Sequence, residues 1–128
     1  MKNFTSILVE SNKACARVTL NRPDRRNSFD SLMVEEICAA FETLGQGRLV
    51  RTIVLTGAGP TFCAGADLRW MGPDRTVSAT EARQDAELLL RMFRTIDECP
   101  CLVIGRIQGA AYGGGIGLIA ACDIAVAA

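Results

Sequence analysis

A run of three glycines constrains this sequence more than any other feature. Residues 108–123 contain Gly113, Gly114 and Gly115, followed by small and apolar residues. Glycine destabilises the interior of regular structure, so three in a row indicate that the backbone must come close to something. A strand-like stretch, Leu102–Ile107, precedes them and a helix-compatible stretch follows, which places free N–H groups at a helix N-terminus where an oxyanion can be held. The alternative is a tight turn with close helix–strand packing, and the glycines alone favour that alternative.

Charge and hydropathy exclude several classes of partner. The 128 residues form one domain's worth of chain, with 14 basic and 14 acidic side chains and a net charge of zero. No basic stripe points to nucleic acid. The first residues lack the apolar core of a signal peptide, and the longest uncharged apolar tract is too short and glycine-rich for a membrane span. We therefore expect a cytoplasmic protein whose partners include neither a nucleic acid nor a membrane.

Cysteine and histidine usage limits the chemistry. The six cysteines include no Cys-x-x-Cys pair and there is no histidine, so we expect no metal site. Without a secretory signal the cysteines are interpreted as small buried hydrophobes in a reducing compartment. Acid–base chemistry in this chain must then use carboxylates, Tyr112, lysine or water.

The first half of the sequence predicts a hairpin and a helix. Residues 4–9 and 14–20 are typical of two strands joined by a polar turn over residues 10–13. Asp30 is placed to cap the next helix, whose apolar positions recur at helical spacing. We expect that helix to span about fifteen residues and to end at Gly45.

The second half continues with alternating strands and helices. Residues 50–56 predict a strand, residues 62–68 a turn of small residues, and residues 69–79 a surface loop. Ser78 followed by Glu81 resembles a capping box for a helix. The apolar stripe of that helix is predicted to be core, and its acidic residues its solvated face; the stripe comprises Ala82, Ala86, Leu89, Phe93 and Ile96. Another strand begins after Asp123, so the layering is α/β.

Two turns of small residues, each following a strand, suggest a shared function. Each can present one backbone N–H toward a common point, and such a pair polarises a carbonyl and stabilises an enolate-like oxyanion. Small residues are required because a bulky side chain would keep the carbonyl away from the amides. Asp67, in the first turn, is expected to hold its own turn in place rather than to transfer protons.

Four motifs in a fixed order then identify a family. The chain resembles the crotonase (enoyl-CoA hydratase/isomerase) superfamily over its whole length. The motifs are Thr19-Leu20-Asn21-Arg22-Pro23 with Asn27 following, Val54-Leu55-Thr56-Gly57, Phe62-Cys63-Ala64-Gly65-Ala66-Asp67-Leu68, and the glycine-rich segment from Gly109 to Asp123.

This resemblance implies a fold and a substrate class. The fold would be the family's ββα spiral, with residues 1–128 as the N-terminal portion of an incomplete crotonase-like domain that lacks the C-terminal units and helices. The substrate would be an acyl thioester of coenzyme A, with no separate cofactor. The full-length parent would be an enzyme that forms a homo-oligomer, either a trimer or a dimer of trimers.

The resemblance also assigns roles residue by residue. The backbone amides of Ala66 and Gly114 would form an oxyanion hole, and Gly113 would contact the substrate. The adenine and pantetheine of the coenzyme would follow the segment Ala64, Gly65, Ala66, Asp67, Leu68 and Arg69, with backbone atoms of Ala64 and Ala66 meeting the adenine. Arg25 and Arg26 would lie near the phosphates, which suits arginine. A solvated turn is an equally favoured interpretation of these two arginines.

One departure from the family leaves the reaction open. Gly117 occupies a position where family hydratases commonly carry a catalytic glutamate, and the second family glutamate would fall beyond Ala128. The sequence around Gly117 is most similar to that of methylglutaconyl-CoA hydratase-like members. Hydration of an α,β-unsaturated acyl-CoA is the first hypothesis. Isomerisation or another enolate reaction, and non-catalytic acyl-CoA binding by a fragment, are the alternatives.

Overall fold

A computed structural model describes residues 3–128 and begins with the predicted hairpin. Strands β1 (Ile7–Asn12) and β2 (Cys15–Leu20) pair antiparallel. The predicted turn over residues 10–13 is wrong, because residues 10–12 extend β1 and the chain reverses over Lys13 and Ala14. Lys13 has a φ of 58°. A two-residue hairpin loop needs such a positive φ to match the twist of its strands, and neither loop residue is the glycine or asparagine that usually provides it.

A single-turn 3₁₀ helix (Pro23–Arg25) leads into helix α1 (Ser31–Gln46). The predicted cap is confirmed, since the Asp30 carboxylate accepts from the Met33 N–H at 3.0 Å. The predicted end at Gly45 is wrong, because the helix continues to Gln46 and Gly47 follows it. Gly45 serves close packing instead, since a β-carbon there would lie 3.0 Å from Cδ of Pro100.

The predicted surface loop after residue 68 is wrong in its first part. Trp70 is buried at 9% exposure and lies in a four-residue helical turn, in which the Asp67 side chain caps the N–H of Arg69. This turn is α2 (Leu68–Met71); strands β3 (Thr52–Gly57) and β4 (Thr61–Cys63) precede it, and helix α3 (Ala79–Asp97) follows it.

Helix α3 is buried only toward its C-terminal end. Its start is as predicted, with Ser78 Oγ accepting from the Glu81 N–H at 3.1 Å. Ile96 is buried, but Ala82 and Ala86 are exposed, so the predicted core stripe is wrong for the first half of the helix. The contacts of α3 with its neighbours come from later residues, such as the Arg91 ion pair with α1.

The acidic face of α3 is also not purely solvated. Asp85 forms an ion pair with Arg75, and both side chains are only about one-fifth exposed. This pair ties the segment before α3 to the exposed half of the helix.

The remaining elements complete a repeated ββα arrangement. Strand β5 (Leu102–Ile107), the short β6 (Ala110–Ala111), helix α4 (Gly114–Ala121) and strand β7 (Ile124–Ala127) follow in order. The main sheet has the order β1-β2-β3-β5-β7, parallel apart from the first pair, and β4 and β6 form a second, two-stranded parallel sheet. Each of the three ββα units thus ends in a helix, which confirms the α/β class.

The core lies between the main sheet and α1. One face of β2, β3 and β5 is fully buried with the apolar side of α1, including Ile37 and Phe41. The opposite face of the sheet is open, and its large apolar side chains are about half exposed; they are Leu8, Leu102, Ile124 and Val126. Within residues 3–128, helices long and apolar enough to cross a membrane are absent.

One buried carboxylate was not predicted to be structural. Glu36 of α1 is 9% exposed and accepts from the backbone N–H groups of Thr5 at 2.9 Å and Ser6 at 2.7 Å. These charge-assisted bonds attach the segment before β1 to the helix.

Candidate functional site

The two residues that flank Ala66 both bond to Phe29, a residue of another segment. Phe29 donates its N–H to Gly65 O at 2.9 Å and accepts at its carbonyl from the Asp67 N–H at 2.8 Å. In this parallel bridge the N–H of the residue between them points away from Phe29. The N–H of Ala66 accordingly has no acceptor within residues 3–128.

A second free amide lies at the start of α4. Gly113 precedes the helix with φ 50° and ψ −120°, a conformation that favours glycine, and provides no side-chain cap. The next two N–H groups donate to carbonyls of the preceding turn, whereas the N–H of Gly114 has no acceptor among the described residues. A first-turn N–H of a helix carries partial positive charge and is suited to hold a carbonyl or oxyanion oxygen.

The two turns are in direct contact. Gly65 has a φ of 91°, and a β-carbon there would lie 2.8 Å from Tyr112 O and 3.0 Å from the Gly114 nitrogen. On the other side, a β-carbon at Gly115 would lie 2.4 Å from Cys63 O. The predicted proximity of the two small-residue turns therefore exists, and it depends on glycine in both.

A groove of about 560 Å³ runs along the first turn. Its walls are Arg25, Ser28, Ala64, Ala66, Asp67, Leu68 and Arg69. Most of the residues that the resemblance assigns to coenzyme binding are thus gathered in one place. Two guanidinium groups and one exposed leucine give the groove a basic and partly apolar lining, which suits a ligand that carries phosphates and a ring.

Not every predicted binding residue lines this groove. The Arg26 side chain is exposed outside its lining, and its contribution is a backbone one, since Arg26 O accepts from the Ala64 N–H at 2.9 Å. Gly113 is exposed at the start of α4 and does not line the groove. Arg25 is the arginine of the pair that does.

Asp67 holds its turn, as predicted, and also pairs with Arg22, a residue of the first motif for which no role was predicted. One carboxylate oxygen accepts from the Arg69 N–H at 2.9 Å and the other from Arg22 at 3.2 Å. Arg22 is itself mostly buried, donates to Ser28 O at 2.7 Å and lies 3.5 Å from the Asp30 carboxylate. This network ties the caps of α1 and α2 together beside Ala66.

The side chain of Asn27 connects three segments by hydrogen bonds, a role that was not predicted. Its side-chain oxygen accepts from the Arg22 N–H, and its amide donates to Ala58 O and Thr61 O, each at 2.8 Å. The side chain is fully buried, and its own backbone has a φ of 56°. Asparagine tolerates this left-handed conformation better than most residues, which is the local signal that could have indicated its role.

The position of Gly117 is closed by an aromatic ring. A β-carbon at Gly117 would lie 2.8 Å from both Cε1 and Cζ of Phe93 on α3. A side chain of any size at this position therefore requires the ring to move. Sequence alone could not show this, because α3 and α4 meet only in the folded chain.

The cysteine nearest the two amides is not a reactive thiol. Cys63 is fully buried and donates to Asn27 O at 3.2 Å. Burial raises its pKa from 9.0 to about 11, although a hydrogen bond from the Gly65 N–H opposes the shift. At neutral pH this thiol is protonated and acts as a small core residue.

Comparison with known proteins shows the family of this chain. The sequence model of the enoyl-CoA hydratase/isomerase family matches residues 10–128. The enoyl-CoA hydratase AKT6-1 of Alternaria alternata is 40% identical over 114 residues, which cover 87% of this chain and 35% of that protein. The mitochondrial Delta(3,5)-Delta(2,4)-dienoyl-CoA isomerase of Mus musculus is 34% identical over 131 residues, covering 95% of this chain and 40% of the isomerase.

Solved structures share the fold. AtuE of Pseudomonas aeruginosa superimposes with a TM-score of 0.91 and 35% sequence identity over 97% of this chain and 48% of its own. The chain thus spans less than half the length of these relatives. On this combination of motifs, fold and similarity, the chain belongs to the enoyl-CoA hydratase/isomerase family of the crotonase superfamily.

Proposed function

We propose that this chain carries the thioester-polarising part of an enoyl-CoA hydratase-type enzyme. The observation that supports the proposal is the contact between two turns, each with one unpaired amide, at Ala66 and Gly114. Both amides lie on rigid main chain, so they need no reorganisation when charge develops on a carbonyl oxygen between them.

The reaction follows from that polarisation. Water gives one proton to a base and adds through its oxygen to the β-carbon of an α,β-unsaturated thioester, and the electron pair of the broken π bond moves to the thioester oxygen. The resulting enolate is stabilised by the two N–H groups until the α-carbon takes a proton. Each such donor in an oxyanion hole contributes about 10²- to 10³-fold to the rate.

Coenzyme A is proposed to bind as part of the substrate, in the groove beside Ala66. Arg25 and Arg69 line it and complement phosphate charge, and Leu68, which is 75% exposed, offers an apolar surface. The proposal includes no separate cofactor, a cytoplasmic location, and a homo-oligomeric parent, a trimer or a dimer of trimers. Because the sequence around Gly117 resembles that of methylglutaconyl-CoA hydratase-like members, 3-methylglutaconyl-CoA is the first substrate to test.

The acid–base group is the open part of this mechanism. The one carboxylate of the groove, Asp67, is already engaged by Arg22 and by the Arg69 N–H. Gly117 contributes none, and Phe93 occupies the space beside it. This observation favours a second candidate function for the chain itself, which is acyl-CoA binding without turnover. The isomerase alternative has support from the dienoyl-CoA isomerase relative.

Two measurements test these functions. Calorimetry with butyryl-CoA tests binding to this chain, and we expect Arg69→Gln to weaken it by several-fold, whereas Arg48→Gln, at an exposed arginine outside the groove lining, leaves it unchanged. Loss of enoyl absorbance with crotonyl-CoA and 3-methylglutaconyl-CoA tests hydration, and product analysis with a 3-enoyl-CoA tests isomerisation. Binding without either reaction supports the second function, and no binding refutes both.

A further inference from the structure

Phe29 contacts both turns of the site. Its backbone forms the two hydrogen bonds that orient Ala66, at 2.9 Å to Gly65 O and 2.8 Å from the Asp67 N–H. Its ring reaches the other turn, because a β-carbon at Gly114 would lie 2.6 Å from Cζ of Phe29. Phe29 therefore links the two turns, with its backbone beside Ala66 and the end of its ring against Gly114.

The ring is placed with little freedom. Phe29 is fully buried, and the next residue, Asp30, caps α1 by accepting from the Met33 N–H. The preceding residue is held as well, since Ser28 O accepts from Arg22 at 2.7 Å. A buried aromatic ring whose backbone is fixed on both sides behaves as a spacer of constant length.

We propose that Phe29 is a positioning residue that sets the separation of the Ala66 and Gly114 amides. The proposal rests on the function proposed above, in which both amides bind one thioester oxygen. Gly114 is free of a side chain because the end of the ring needs that space, and the ring in turn stops α4 from approaching Ala66. A shorter side chain would let the two amides move relative to one another without removing either.

The test compares two ligands that differ only in the carbonyl. Butyryl-CoA has the thioester oxygen, and S-butyl-CoA has a methylene in place of the carbonyl. Since hydrogen bonds to the oxygen are the only difference, we expect the wild-type chain to bind butyryl-CoA on the order of ten-fold more tightly. Phe29→Leu should reduce that ratio to within about two-fold of one, with the S-butyl-CoA affinity preserved.

A matched variant controls for general loss of core packing. Phe41 is also a fully buried phenylalanine, but it lies in α1 away from both turns, so Phe41→Leu should keep the wild-type ratio. If Phe29→Leu loses the S-butyl-CoA affinity, Phe29→Tyr becomes the test variant in its place. That substitution keeps the ring, and its added hydroxyl extends from Cζ toward Gly114. A fall of the butyryl-CoA to S-butyl-CoA affinity ratio to near one in Phe29→Tyr supports the proposal as well as the same fall in Phe29→Leu.

The outcomes distinguish failure of the proposed polarising function from failure of the positioning role of Phe29. A wild-type ratio near one refutes the proposed polarising function, and the role of Phe29 with it. A high wild-type ratio that persists in the Phe29 variants overturns the positioning role alone. If neither Phe29 variant binds S-butyl-CoA with wild-type affinity, Phe29 is required for the fold rather than for spacing, and the proposal is also overturned.

Discussion

Replacing Gly65 with alanine should separate the two turns of the site. The backbone of Gly65 has a φ of 91°, and the new β-carbon would lie 2.8 Å from Tyr112 O and 3.0 Å from the Gly114 nitrogen. Both neighbours are main-chain atoms, so rotation of a side chain cannot relieve the contact. The strain must be taken up by moving one turn away from the other.

The expected loss of stability has two parts. A left-handed backbone conformation costs an alanine about 1–2 kcal/mol. Forcing an extra carbon into a packed interior costs typically about 1–3 kcal/mol more. We therefore expect Gly65→Ala to lower the free energy of unfolding by roughly 2–5 kcal/mol.

Two other glycines of the chain act as controls. Gly113 also has a positive φ, 50°, but a β-carbon there would meet nothing within 4 Å, so its replacement by alanine isolates the conformational cost. Gly47 has a φ of −71° and its nearest atoms would lie 3.7 and 3.8 Å away. Gly47→Ala should be neutral or stabilising by up to about 1 kcal/mol, because it restricts the unfolded chain.

Urea unfolding of the three variants measures these differences, with the free energy obtained by linear extrapolation. The expected order of stability is Gly47→Ala, then Gly113→Ala, then Gly65→Ala. If Gly65→Ala were no less stable than Gly113→Ala, the turns would not be in the contact described and the reasoning would be refuted.

Three further predictions concern the surroundings of the site. Gly117→Glu should lower the free energy of unfolding by about 1–3 kcal/mol, because the new side chain must displace the Phe93 ring, and Phe93→Ala should cost less in the Gly117→Glu background than in the wild type, as a double-mutant cycle in urea unfolding would show. Burial raises the Cys63 pKa from 9.0 to about 11, so the protonated thiol stabilises the fold below pH 9, and this contribution is lost as the pH rises through 11. The stability advantage of the wild type over Cys63→Ala should therefore shrink by roughly 3 kcal/mol between those pH values, and a constant difference would contradict it. Glu36→Ala should cost about 1–3 kcal/mol by leaving two backbone N–H groups without their acceptor, whereas the exposed Glu35→Ala should stay within about 0.5 kcal/mol of wild type.

The features predicted correctly from the sequence are those that contacts between residues close in sequence determine. The helix capped by Asp30 and the strand Leu102–Ile107 were predicted correctly, because capping and apolar periodicity act within a few residues. The end of α1 was not, since Gly45 is used for close packing against Pro100, a contact between residues distant in sequence, and a glycine kept for packing has the same local pattern as one that ends a helix.

In the site as well, the features set by nearby residues were predicted and those set by residues distant in sequence were not. The glycines and small residues indicated where backbone must approach backbone, and the family resemblance named the amides of Ala66 and Gly114. The residue that connects them, Phe29, has no signature of its own, because any buried aromatic residue has the same local pattern. The ring of Phe93 beside Gly117 was interpreted only as core for the same reason.

The vibrational frequency of a bound carbonyl tests the central claim most directly. Butyryl-CoA labelled with ¹³C at the thioester carbonyl can be bound to the chain and its stretching band measured by infrared difference spectroscopy. If the amides of Ala66 and Gly114 both donate to the oxygen, the band shifts to lower frequency on binding to the wild type and shifts less in Gly65→Ala. A band at its solution frequency in the bound wild-type complex would contradict the account.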